Sequence, residues 1–145
     1  MTQPDAQAGK SSSVSTHVLD TAAGRPAGDV VVRVECLRGA IWSAVAAGRT
    51  DRDGRLRAWT VGTPASTGQE PRTEDPAQAG EAQLTGDFPV GRYRLVFDIQ
   101  HYFLGWGLTP FFPEVTVEFM IDGSGQHYHV PLLVSPYSYT TYRGS

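Results

Sequence analysis

The chain has 145 residues and a mass of 15.7 kDa, the size of a single domain. Its 12 basic and 15 acidic side chains give a net charge of −3, so a basic nucleic-acid-binding surface is not expected. The single cysteine, Cys36, excludes an internal disulfide and a zinc site built on several cysteines. With no long apolar run and no secretory signal in the sequence, we expect a cytoplasmic protein that does not enter a membrane.

The predicted elements are strands, because apolar residues alternate with polar ones over most of the chain. Residues 1–14 are polar and predict a flexible N-terminal tail, which leaves one domain over 15–145. A helical turn is predicted at Gln100–Gly107. The predicted strands are Thr16–Asp20, Val30–Cys36, Ile41–Thr50, Arg55–Thr60, Tyr93–Ile99, Val115–Ile121, Tyr128–Val134 and Tyr137–Tyr142. About eight short strands with one short helix predict an all-β, two-sheet antiparallel sandwich.

A long loop is predicted at about residues 60–88. Nine of residues 60–91 are Gly or Pro, and the segment carries five acids against the single base Arg72. Such a composition buries too little apolar surface to offset the entropy of ordering it. Disorder is the favoured interpretation, with a functional lid as the alternative.

Two histidines at alternate positions are the first candidate for chemistry. Side chains two apart on a strand share a face and lie about 7 Å apart, so His127 and His129 point the same way. Their apolar neighbours Tyr128, Val130, Leu132 and Val134 form the opposite, core-facing set. The two imidazoles are therefore predicted on the outer surface of a sheet. His17 lies on the first strand, with Leu19 on the same side.

His-x-His also occurs in metal sites, and three histidines can hold a catalytic zinc. An isolated His-x-His is a weak signal, however, and no carboxylate or thiolate is well placed beside this pair. Arg55 follows an Asp53-Gly54 turn, where its guanidinium is either a solvated strand end or a donor fork for an oxygen-rich ligand. No motif of serine hydrolases or nucleotide-binding proteins is present.

Other conspicuous residues have structural interpretations. Cys36 is in phase with inward valines and is predicted in the core. Trp106 and the Phe111-Phe112 pair are predicted to pack in the core or in a turn. The last predicted strand continues almost to Ser145, which suggests that the C-terminal segment is docked rather than frayed.

Several motifs together resemble the transthyretin superfamily. His17-Val-Leu-Asp20, followed by Gly24-x-Pro-Ala27, is similar to its N-terminal signature. The segments 127–133 (HYHVPLL) and 142–145 (YRGS) resemble the 5-hydroxyisourate hydrolase branch. Segments 111–115 (FFPEV) and 91–95 (GRYRL) fit the same pattern. The likeness covers about residues 15–59 and 88–145, and the long loop and polar tail depart from it without touching a motif.

The resemblance implies a homotetramer, a dimer of dimers, with active sites in the channel where the dimers meet. It implies catalytic roles for His17, Arg55 and His129. It implies substrate contacts from His17, Arg55, His127, Tyr142 and Ser145. The partner is then a small-molecule substrate, with no metal, no cofactor, no nucleic acid and no membrane.

The implied reaction is the hydrolysis of 5-hydroxyisourate, a purine derivative of urate degradation. An imidazole is suited to take a proton from water as the water attacks a ring carbonyl. We assign this role to His129, with His17 as its partner and Arg55 as the group that stabilises the oxyanion. The alternatives are a transthyretin-like carrier of a small ligand without catalysis, and a monomeric adhesion-type sandwich.

Overall fold

A computed structural model of the chain describes residues 11–61, 83–84 (backbone only) and 88–145. The strands are β1 (Ser13–Asp20), β2 (Arg25–Pro26), β3 (Val31–Arg38), β4 (Ile41–Arg49), β5 (Arg55–Leu56), β6 (Trp59–Val61), β7 (Gln83–Leu84), β8 (Gly91–Asp98), β9 (Glu114–Ile121), β10 (His127–Val134) and β11 (Tyr139–Thr141). One short helix, α1 (Ile99–Leu104), follows β8, and the Asp98 carboxylate caps it by accepting from the His101 amide.

Two sheets form the sandwich. In the first, the strand order is β11-β10-β1-β2, and β5 also pairs with β1. In the second, the order is β7-β6-β4-β3-β8-β9. The predicted all-β sandwich with one short helix is confirmed, with one difference: β1 and β10 run parallel, whereas the other strand pairs are antiparallel. A parallel pair needs a long connection between its strands, and here the whole second sheet lies between β1 and β10 in the sequence.

The core lies between the sheets and follows the predicted alternation. Its members from the first sheet are Val14, Val18, Leu56, Tyr128, Val130, Leu132 and Val134, and those from the second include Val32, Val34, Trp59, Leu95, Phe97, Val115 and Ile121. The Trp59 indole N–H donates to the Val14 carbonyl at 2.8 Å and so connects the sheets. Because the core takes the even positions of β10, the odd positions His127 and His129 face outward, as predicted.

Several element boundaries differ from the prediction. β1 begins at Ser13 rather than at Thr16. The predicted strand Arg55–Thr60 is wrong as a single element, because β5 pairs with β1 and β6 pairs with β4 in the other sheet. A chain that changes sheets must turn between them, and it does so at residues 57–58.

For Trp106, the turn rather than the core is the correct interpretation, because Trp106 lies in the turn after α1. Trp106 and Phe111 are 53% and 70% exposed, so they are not core residues. Arg25 instead lies over the Trp106 ring, 4.1 Å from its centroid. Glu35 is a charged residue that is nevertheless buried, because Arg33 and Arg94 cover it with ion pairs of 2.7 and 2.6 Å. Burial raises the pKa of Glu35, and its hydrogen bonds to the two arginines more than reverse this, so the pKa is lowered overall.

Parts of the predicted tail and loop lie outside the described residues, namely 1–10 and most of 62–87. Of the tail, Ser12 pairs with Phe88 and the next residue begins β1. Of the loop, β7 pairs with β6. Among the residues that the structure describes, no helix has the length and hydropathy needed to span a membrane.

Candidate functional site

A tight turn brings β5 against β1. The Asp51 carboxylate accepts from the amides of Asp53 and Arg55, both at 2.9 Å. Gly54 has a φ of +78°, and a Cβ there would lie 2.4 Å from the carbonyl oxygen of Val18. Only glycine fits this close approach without strain. The turn therefore sets Arg55 directly opposite His17 on the outer face of the first sheet.

The register of β1 and β10 places a row of polar side chains on the same face. Ser13 is opposite His127, and Ser15 is opposite His129. The Ser13 hydroxyl lies 2.5 Å from Nδ1 of His127. The Ser15 hydroxyl lies 2.8 Å from Nε2 of His127 and 2.7 Å from Nδ1 of His129. Both imidazoles are thus held by serines of the neighbouring strand.

The C-terminal segment closes one side of this face. The Gly144 amide donates to the His129 carbonyl at 2.8 Å. The Thr141 hydroxyl donates to the Pro131 carbonyl, and Arg143 lies 4.8 Å from the centroid of the Tyr128 ring. These contacts support the expectation of a docked C-terminal segment, and they bring Ser145 beside the histidines.

The result is an open cleft of about 250 Å³. Its walls are polar or basic on most sides, which suits a small ligand rich in oxygen. The lining residues are Ser15, Thr16, Arg55, Leu56, Arg57, His127, His129 and Ser145.

Four of the predicted site residues therefore meet in the cleft: Arg55, His127, His129 and Ser145. Two do not line it in the single chain. His17 lies beside it, where its Nε2–H donates to the Asp53 carbonyl at 2.9 Å, which leaves Nδ1 as the acceptor of a neutral ring. Tyr142 is 58% exposed and also lies outside the cleft lining.

Three residues at or beside the cleft are not predicted from the sequence: Ser13, Ser15 and Arg57. Serine on the polar face of a strand is typical of a solvated surface, so the residue type carried no signal. Ser13 and Ser15 do alternate with the core residue Val14, which placed them on one face with His17. The sequence of β1 alone does not indicate that this face lies beside His127 and His129, which are more than 100 residues away.

The electrostatics of the cleft favour a neutral His129. Burial lowers the pKa of this imidazole, and coulombic repulsion from His127, His17 and Arg55 lowers it further. A neutral ring has a free lone pair on one nitrogen and can act as a base. The permanent charge of Arg55 attracts a negatively polarised ligand.

The side chains of the cleft do not form a typical donor set for a metal ion. Across residues 11–61 and 88–145, no three His, Cys, Asp or Glu side chains are grouped as metal ligands. Three of the four ring nitrogens of His127 and His129 already lie within hydrogen-bonding distance of a serine hydroxyl. This donor set fits proton transfer better than metal binding.

The fold and cleft define a transthyretin-like sandwich with a basic, histidine-lined outer face. The chain belongs to the HIUase/Transthyretin family, whose family model matches residues 14–144. The family resemblance inferred from the sequence motifs is thereby confirmed.

Named relatives lie on both branches of this family. The chain is 41% identical over 138 residues to a 5-hydroxyisourate hydrolase of Caulobacter vibrioides, covering 92% of this chain and 99% of the relative. The solved 5-hydroxyisourate hydrolase of Klebsiella pneumoniae is 28% identical with a TM-score of 0.64, covering 92% and 99%. The transthyretin of Sparus aurata is 29% identical with a TM-score of 0.66, covering 90% and 95%. Because these two TM-scores are nearly equal, backbone likeness does not separate hydrolase from transthyretin, and the side chains of the cleft must do so.

Proposed function

We propose that this chain hydrolyses 5-hydroxyisourate to 2-oxo-4-hydroxy-4-carboxy-5-ureidoimidazoline, a step of urate degradation in the cytoplasm. The observation that carries the proposal is the meeting of His129, His127, Arg55 and Ser145 in one cleft. A carrier of a small ligand has no need of a pair of imidazoles beside a guanidinium. The curated relatives at 35–41% identity are named for this activity.

The first step is attack of water on a carbonyl carbon of the six-membered ring. His129 accepts one proton of the water while the resulting hydroxide bonds to the carbon. Its lowered pKa keeps the ring neutral and ready for this role near neutral pH. His17 lies close enough to affect the pKa of His129 and is the partner that holds the water or relays the proton.

The second requirement is stabilisation of the oxyanion that forms on the carbonyl oxygen. Arg55 supplies a planar set of N–H donors with a permanent positive charge. The turn at Asp51 and Gly54 fixes its backbone before substrate arrives, and such preorganised donors account for much of the rate enhancement in acyl transfer. His127 contacts the substrate as part of the cleft wall, and the segment from Tyr142 to Ser145 binds the remaining polar groups of the substrate.

We further propose that the working form is a homotetramer, a dimer of dimers, with the cleft at the dimer–dimer interface. The supporting observation is that the cleft is open on the outer face of the first sheet, with Tyr142 exposed and His17 beside the opening. A second copy facing this surface would enclose the site and bring these two residues to it. Sedimentation equilibrium should give four times the 15.7 kDa chain mass, and a monomer at all concentrations would refute the assembly.

The test of function follows the absorbance decay of 5-hydroxyisourate generated in situ by urate oxidase. We expect the wild-type protein to accelerate this decay, and His129→Ala to abolish the acceleration. His101→Ala is the matched control, because His101 is an exposed imidazole on α1 away from the cleft. No acceleration by a correctly assembled wild-type protein would refute the hydrolase and favour the carrier.

A further inference from the structure

Four side chains of β1 and β10 form one continuous line of hydrogen-bonding atoms. The line runs from the Ser13 hydroxyl to Nδ1 of His127 (2.5 Å), and from Nε2 of His127 to the Ser15 hydroxyl (2.8 Å). It ends with the Ser15 hydroxyl at Nδ1 of His129 (2.7 Å). We call these four residues the relay. Ser13 at one end is half-buried and lies outside the cleft lining, whereas Ser15, His127 and His129 all line the cleft.

The positions of the protons in the relay depend on one another. A serine hydroxyl has one proton, so Ser15 donates to one of its two imidazole neighbours and accepts from the other. The tautomer of His127 therefore dictates the tautomer of His129. Two arrangements satisfy every contact, and they differ in the direction in which all the protons point.

In the first arrangement, Nδ1–H of His129 donates to Ser15, and Ser15 donates to Nε2 of His127. The Nε2 of His129 then carries a lone pair and is a base. In the second, Nε2–H of His127 donates to Ser15, and Ser15 donates to Nδ1 of His129. The Nε2 of His129 then carries a proton and is an acid.

We propose that Ser15 is a positioning residue that sets the tautomer of His129, and that the relay switches this imidazole between base and acid during turnover. The switching step rests on the proposed function, whereas the tautomer coupling does not. Ser13 and Ser15 then take part in proton transfer, and His127 carries protons in addition to contacting substrate.

The proton balance of the switch closes over one cycle. Nε2 of His129 takes a proton from the attacking water, and its Nδ1–H passes to Ser15. Ser15 gives its own proton to Nε2 of His127, whose Nδ1–H passes to Ser13, and Ser13 releases a proton to solvent. His129 now carries its proton on Nε2. It donates that proton to the ring nitrogen as the carbon–nitrogen bond breaks, and each transfer reverses as Ser13 regains a proton from solvent.

The tautomers are read directly by ¹⁵N NMR of histidine-labelled protein, which has only four histidines. In the resting wild type we expect His129 to be protonated on Nδ1. Ser15→Ala should shift it toward the tautomer ratio of free imidazole, and Ser15→Thr should restore it. Ser13→Ala should also shift the His129 signals, although Ser13 hydrogen-bonds to His127 rather than to His129. Ser43→Ala, on β4 of the other sheet, is the matched control and should change nothing.

The kinetic arm uses the 5-hydroxyisourate decay assay. Ser15→Ala should lower kcat by about 10²-fold, the range of general acid–base catalysis, with little change in KM, and Ser15→Thr should recover most of it. An unchanged His129 tautomer in Ser15→Ala, or wild-type kcat in that variant, overturns the proposal. If Ser15→Ala fails to fold, the response of His129 to Ser13→Ala decides the question. The NMR measurement needs no substrate, so it tests the tautomer coupling even if the protein does not hydrolyse 5-hydroxyisourate. Absence of that activity would refute the proposed function alone.

Discussion

Gly144→Ala tests the docking of the C-terminal segment with a single methyl group. A Cβ at residue 144 would lie 2.5 Å from Cδ2 of His129 and 3.3 Å from Cγ of Pro131. Carbon atoms pack at about 3.5–4.0 Å, so either the imidazole or the segment must move by about 1 Å. Proline is rigid and the His129 ring is held by Ser15, which leaves little room for adjustment on the strand side.

The expected cost follows from this displacement. A misplacement of about 1 Å in a catalytic group costs about 10²-fold in rate, which corresponds to about 2.7 kcal/mol in the barrier. Folding should change little, because the variant loses at most the hydrogen bond from the Gly144 amide to His129, worth about 1 kcal/mol. We therefore expect a large loss of kcat/KM with a small loss of thermal stability.

The assay compares kcat/KM for 5-hydroxyisourate decay with the melting temperature of the same preparations. Gly91→Ala is the control, since its Cβ would meet its nearest neighbour, the Tyr93 ring, at an ordinary contact distance of 3.4 Å. Wild-type kcat/KM in Gly144→Ala would refute the docking of the segment against His129. An equal loss in Gly91→Ala would show that the effect is not local to the cleft.

Four further predictions follow from the cleft. Arg55→Ala should raise the barrier by about 3–4 kcal/mol, as for loss of an oxyanion donor, while Arg52→Ala in the same turn stays near wild type; equal rates would remove Arg55 from the mechanism. Residues fused after Ser145 should reduce kcat/KM more than an N-terminal extension of the same length, and equal activities would argue against docking. Turnover should be undiminished in chelator, and a loss that zinc restores would overturn this. NMR titration should place the pKa of His129 below its ordinary value of 6.5, and His127→Gln should raise it. Between the lowered pKa of His129 in the folded protein and its ordinary pKa in the unfolded chain, the unfolded chain binds more protons. His129 should therefore make the free energy of unfolding fall as the pH drops through that interval.

Much of the fold could be predicted because alternation reports burial directly. The even positions of β10 are buried and its histidines face outward, as the sequence indicates. Alternation does not report which sheet a strand joins, so it predicts β5 and β6 as one strand. Leu56 and Trp59 are both buried although they lie three residues apart, a spacing that a single regular strand cannot place on one face.

The candidate site could be predicted only in part, and for a related reason. His129 and Arg55 are residue types whose chemistry is visible in isolation. Ser13 and Ser15 gain a role only from the register of β1 with β10, which joins residues more than 100 apart. Trp106 lies in a turn, which was one of the two interpretations of its apolar character, but the sequence around it does not indicate that Arg25 lies over its ring. Long-range contacts set both outcomes, and local composition does not encode them.

The parallel pairing of β1 with β10 has a consequence for biosynthesis. A ribosome makes β1 (Ser13–Asp20) more than 100 residues before β10 (His127–Val134). Until β10 emerges, β1 has no partner along that edge, and an unpaired edge invites pairing with other chains. A nascent or prematurely terminated chain is therefore the species most prone to aggregate, and β10 both supplies the two imidazoles and removes this hazard.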